Sequence, residues 1–99
     1  MKTITTDELQ QRLEAGEDLN IIDVREADEV AAGMIPGAKH IPLGEIENRV
    51  SELGDTKPYY MVCRSGARSG RASEFLNDQG VEAINVEGGM LNWNGESQA

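Results

Sequence analysis

Two short runs, IIDV (residues 21–24) and YYMV (residues 59–62), are apolar at nearly every position. A strand with one wet face alternates apolar with polar residues, so runs of this kind suit strands covered on both sides. LNIIDV (19–24), HIPL (40–43), YYMVC (59–63) and VEAINV (81–86) read as strands, with a weaker candidate at TIT (3–5). Between them, DELQQRLEA (7–15), LGEIENRVSEL (43–53) and GRASEFLNDQ (70–79) place apolar residues three and four apart, which is helical spacing. Strands alternating with helices predict an α/β fold, a mostly parallel sheet with helices on both faces.

The punctuation agrees. Gly16, Gly54 and Gly80 follow the helical stretches and are expected as left-handed C-caps, and Thr5 with Glu8 resembles a capping box opening the first helix. The 99 residues suit a single domain, 1–99, with residues 94–99 expected as a frayed tail.

Charge narrows the partners. A formal net charge of -9 argues against a nucleic-acid partner and against an acidic membrane surface. No segment approaches the ~20 apolar residues of a membrane-spanning helix, and MKTITTDELQ lacks the apolar core of a signal peptide, so the expected location is cytoplasmic. With one cysteine and one histidine, the chain has neither an internal disulfide nor a zinc site built from these residues alone, and no cofactor is called for.

Cys63, the lone cysteine, lies where YYMV ends and the polar, glycine-containing RSGARSG begins. In an open parallel sheet, sites form beyond the carboxyl ends of the strands. A strand, a short loop and a helix N-terminus also make an anion site, because backbone N–H groups and the positive helix end converge there. A thiolate is such an anion. A drop in its pKa from about 8.5 to about 6.5 corresponds to about 2.7 kcal/mol in favour of the charged form. His40 lies in another segment and reads as an ordinary strand-end residue, not a catalytic base. Arg64 and Arg68 flank the loop and suit paired hydrogen bonds to an oxyanion, whereas Arg71 reads as a solvated helix-surface residue.

These residues resemble the rhodanese family, in particular its single-domain sulfurtransferases. CRSGAR (63–68) is similar to the family's six-residue active-site loop, IIDVRE (21–26) to its strand-plus-acidic motif, GMIPGAKHIP (33–42) to its G-H-I-P-G-A segment, and GVEAINVEGGMLNW (80–93) to its closing strand and glycine-rich turn. Met34 stands where the family usually has histidine. The resemblance implies a five-stranded parallel sheet flanked by helices on both faces, and covalent chemistry in which Cys63 takes the outer sulfur of thiosulfate, or of a similar anionic donor, as a persulfide. The acceptor would be cyanide, a small thiol or a thioredoxin-like protein. It further implies that the backbone of Arg64, Ser65, Gly66, Ala67 and Arg68 cradles the sulfur, that the Arg64 and Arg68 side chains receive the sulfonate, and that Asp23 and Arg25 support the loop.

Two other functions share parts of this pattern. A phosphatase or arsenate reductase of the C-x5-R type needs arginine where this chain has Ser69, one position beyond Arg68. A non-catalytic regulatory or sulfur-carrier module commonly lacks the cysteine, which this chain keeps.

Overall fold

The structure is a computed structural model and describes residues 1–54 and 57–99. Five strands form one sheet: β1 (Lys2–Thr5), β2 (Asn20–Asp23), β3 (Lys39–His40), β4 (Tyr59–Val62) and β5 (Ala83–Glu87). Their spatial order is β1-β5-β4-β2-β3 and every pairing is parallel, so all five carboxyl ends share one edge. The helices are α1 (Thr6–Glu14), α2 (Ala27–Ala31), α3 (Ile46–Arg49) and α4 (Ala67–Asp78).

Successive side chains of a strand point to opposite faces, and the two cores divide accordingly. Ile22 of β2 and Met61 of β4 pack with Ile46 of α3 and with Ala72 and Leu76 of α4. Ile21, Tyr60 and Val62 pack on the other face with Leu9 of α1 and Ile35. This explains the unbroken apolar runs: every residue of IIDV and YYMV except Tyr59 is buried. Leu76 is fully buried, and its truncation to alanine costs about 2–5 kcal/mol.

Thr5 caps α1 as expected, its hydroxyl oxygen accepting the Glu8 N–H at 3.1 Å. Gly16 and Gly80 have φ of +86° and +83°. Gly54 does not take that conformation, because the preceding 3-10 turn Val50–Glu52 already ends through the extended residue Leu53. The stretch 43–53 is correspondingly broken into a 3-10 turn at Leu43–Glu45, the single helical turn α3, and the second 3-10 turn.

Residues 94–99, expected to fray, double back on the body. Gln98 exchanges both backbone hydrogen bonds with Met34 at 2.8 Å, and the Trp93 ring N–H donates to the Glu96 carbonyl at 2.9 Å. The backbone of Met34, the position of the missing family histidine, is thus used to anchor this segment. Among the described residues, no helix is long and apolar enough to cross a membrane.

Candidate active site

β4 sits in the middle of the sheet, between β5 and β2, and delivers Cys63 one residue past its end. The chain then turns at Gly66, whose φ of +105° is in the left-handed region, and enters α4 at Ala67. The helix therefore starts three residues earlier than its apolar spacing suggests. Of the loop CRSGAR, Ala67 and Arg68 belong to the first turn of α4 and not to the loop.

The consequence for Cys63 is electrostatic. The Gly66 N–H donates to Sγ at 3.0 Å, and the Ser69 hydroxyl lies 3.3 Å from it. Burial pushes the thiol pKa up; the Ser69 hydroxyl and the backbone N–H groups of Ser69, Gly66 and Ser65 overcome that, leaving Cys63 below its ordinary value. The first turn of α4 contains no acidic residue, so no other anion competes for the helix end. Ser69 and Asn85 were not assigned roles at this site from sequence. The single Ser69 hydroxyl proton is shared between Cys63 Sγ and Asn85 Oδ1, and Asn85 Nδ2 donates to the Gly66 carbonyl at 3.1 Å, which ties the loop to β5.

A second turn closes the loop from behind. Gly89, with φ of +54°, brings the chain so close that a Cβ there would lie 2.4 Å from the Cys63 carbonyl oxygen and 2.6 Å from that of Arg64. Those two carbonyls accept the N–H groups of Met90 and Leu91 at 2.9 and 3.0 Å. The glycine pair in GVEAINVEGGMLNW is thereby explained by contact with the cysteine loop.

β2 ends next to β4, with Asp23 in register with Val62. Asp23 is fully buried and accepts from the backbone N–H of Arg25 at 3.0 Å and from its guanidinium at 2.8 to 3.1 Å. Arg25 also donates to the Gly33 carbonyl at 2.7 Å. His40 Nε2 is 2.7 Å from the Arg25 carbonyl, an atom that only accepts, so Nε2 carries the hydrogen. Asp23, Arg25 and His40 together hold the loop beside Cys63 and do not reach its sulfur by hydrogen bond.

The two loop arginines differ. Among the described residues, Arg64 makes no side-chain hydrogen bond or ion pair and is exposed. Arg68 is gripped by Glu29 of α2 through two parallel bonds of 2.7 and 2.8 Å. Glu29 is held in turn by the Glu26 N–H at 2.9 Å. Its carboxyl pKa is lowered to about 2, chiefly by the Arg68 hydrogen bonds, and Arg68 is raised by the same pair. Arg25, Glu29, Arg64, Met90 and Leu91 line a cavity of ≈ 300 Å³ at this edge.

Residues 5–96 match the family model described as a rhodanese-like domain. The chain belongs to the rhodanese-like domain family. A Bacillus subtilis relative named "Putative sulfurtransferase YtwF" is 47% identical over 98 residues, covering 99% of this chain and 95% of that protein. A sulfurtransferase of Allochromatium vinosum is 40% identical over 91 residues, covering 91% and 85%. The crystal structure of a rhodanese-like domain protein from Staphylococcus aureus superposes with a TM-score of 0.92 at 44% identity, covering 97% of this chain and 94% of that one. The five-stranded parallel sheet with four helices is this rhodanese-like fold.

Proposed function

We propose that this rhodanese-like protein moves a sulfane sulfur from thiosulfate, or a similar anionic donor, to cyanide or a thiol acceptor through a persulfide on Cys63. The observation that carries the reading is the Gly66 N–H on Sγ at 3.0 Å at the mouth of a helix whose first turn is free of acidic residues. Such a nest lowers the cost of a thiolate before any substrate arrives, so no histidine base is required.

In the first half-reaction the Cys63 thiolate attacks the outer sulfur of the donor. A bond forms between Sγ and that sulfur, the sulfur–sulfonate bond breaks, and its electron pair leaves on sulfite. The persulfide inherits the negative charge on its terminal sulfur. That charge falls within reach of the N–H groups that served the thiolate, those of Ser65, Gly66 and Ser69. Arg64, on the cavity wall and without a carboxylate partner among the described residues, receives the sulfonate. In the second half-reaction the acceptor attacks the terminal sulfur and returns Cys63 as a thiolate.

Ser69 in the position where a C-x5-R phosphatase has arginine leaves the thiolate with a neutral hydroxyl partner, which suits a sulfur atom rather than a phosphoryl group. Intact-mass measurement after incubation with thiosulfate tests the proposal: the chain should gain the mass of one sulfur atom, cyanide should remove it as thiocyanate, and Cys63→Ser should gain nothing. A wild-type chain that gains no sulfur would refute it.

A further inference from the structure

Arg25 and Arg64 line the cavity beside the Cys63 loop and Arg68 is bound to its wall residue Glu29, yet two of these three guanidinium groups already have an anion. Arg25 is neutralised by Asp23 and Arg68 by Glu29, so of these three only Arg64 has no carboxylate partner among the described residues. The wall of that cavity contains the Glu29 carboxylate itself, together with Met90 and Leu91. Leu91 is 63% exposed, and among the described residues only Met1 shares with it the condition of a large hydrophobic side chain left in water. A wall whose one uncompensated charge is Arg64, beside a carboxylate already paired with Arg68 and an apolar lip, is poorly matched to a small inorganic dianion. It is better matched to a donor with one negative charge and an organic group.

We infer that Glu29 selects the sulfur donor: by occupying Arg68 and cancelling its charge, it disfavours thiosulfate relative to singly charged organic sulfane donors, whose alkyl part meets Met90 and Leu91. The inference rests on the sulfurtransferase reading above and deepens it. For a dianion to use Arg68 it must displace Glu29 from a two-bond pair, and the released carboxylate would remain beside it on the same cavity wall. A monoanion needs only Arg64 and meets half the repulsion.

Thiosulfate and methanethiosulfonate isolate this difference, because both place the transferred sulfur on a sulfonyl sulfur and differ by one charge and one methyl group. Attack on the first releases sulfite, attack on the second releases methanesulfinate, and both leave the same Cys63 persulfide. The rate constant for gain of one sulfur atom is measured by intact mass for each donor, and the ratio between donors cancels effects on the thiolate itself. Glu29→Gln keeps an acceptor for Arg68 and for the Glu26 N–H while removing the charge, and should raise the thiosulfate-to-methanethiosulfonate ratio on the order of tenfold. Glu29→Asp retains the charge and should retain the wild-type ratio. Added salt should narrow the gap between wild type and Glu29→Gln, since the repulsion acts through a partly solvated entrance.

A Glu29→Gln chain that loses both donors equally, or a ratio unmoved by the substitution, overturns the inference and reduces Glu29 to a support for Arg68. A wild-type chain that acquires sulfur from neither donor overturns the sulfurtransferase reading, and this inference falls with it.

Discussion

The ends of β2 and β4 lie side by side at one sheet edge, and both present a buried side chain that accepts a backbone N–H from its own loop. At β2 the acceptor is Asp23, which receives the Arg25 N–H and then the Arg25 guanidinium. At β4 it is Cys63, which receives the Gly66 N–H and the Ser69 hydroxyl but no cation by direct contact. The first anion has its charge matched within two residues and becomes a structural fixture. The second is held by dipoles alone, which favour the charged form without consuming its nucleophilicity. What distinguishes Cys63 from Asp23 at this edge is the cation withheld from it as much as the dipoles supplied to it.

Substitutions at the two ends should therefore separate chemistry from stability. Cys63→Ser should abolish persulfide formation below detection while leaving the thermal midpoint within a few degrees of wild type, because a hydroxyl fits the same nest; retained sulfur transfer would break the contrast. Asp23→Asn should do the reverse in kind, costing about 3–5 kcal/mol in chemical denaturation by leaving the Arg25 guanidinium buried without its charge partner. A cost below about 1 kcal/mol would show that the two ends are not built differently after all.

Ser69→Ala is expected to act more gently and on the β4 end alone. The hydroxyl favours the thiolate, so its removal raises the Cys63 pKa, and the acid limb of the rate of persulfide formation should move to higher pH. The vacated Asn85 Oδ1 adds a stability loss of about 1–3 kcal/mol. A pH profile unchanged by the substitution would assign the depression of the thiol to backbone N–H groups only.

The smallest effect concerns acid. Glu29 has a folded-state pKa of about 2 against an ordinary 4.5, so its contribution to stability is complete above about pH 4.5 and disappears as pH falls toward 2. Glu29→Gln should flatten the stability curve across that window and leave it unaltered at neutral pH in slope. An acid limb as steep in the variant as in wild type would show that other carboxylates govern it.

The strands were legible because burial on both faces writes itself as unbroken apolar runs, and Cys63 was legible because a strand, a polar loop and a helix place it at the carboxyl edge. α2 was not. It has five residues, none of them buried, so no apolar spacing marks it, and only the Glu26–Glu29 pair hints at a helix start. Without α2, the partner of Arg68 could not be read: Glu29 is 39 positions away, and sequence alone gives two loop arginines of equal standing. The early start of α4 was hidden for a similar reason. Ala67, Arg68, Ser69 and Gly70 show no apolar face, and the buried Ser69 and Gly70 lie against Asn85 of β5, with the Met1 side chain also over Gly70. Tertiary partners drawn from distant segments leave no local pattern.

The Gly88–Gly89 turn has a further effect that acts through peptide planes. A peptide group is rigid, so whatever fixes its carbonyl also fixes the N–H on its far side. Leu91 holds the carbonyl of Arg64, which shares a plane with the Ser65 N–H, and Met90 holds the carbonyl of Cys63, which shares one with the Arg64 N–H. Two amides on β5's exit thus set the polarity of the loop from its outer side, and a flip of either plane would reverse the dipole it presents. The turn works as an orientation lock: it makes no hydrogen bond to the sulfur, yet it fixes the Arg64–Ser65 peptide with its N–H end toward the sulfur.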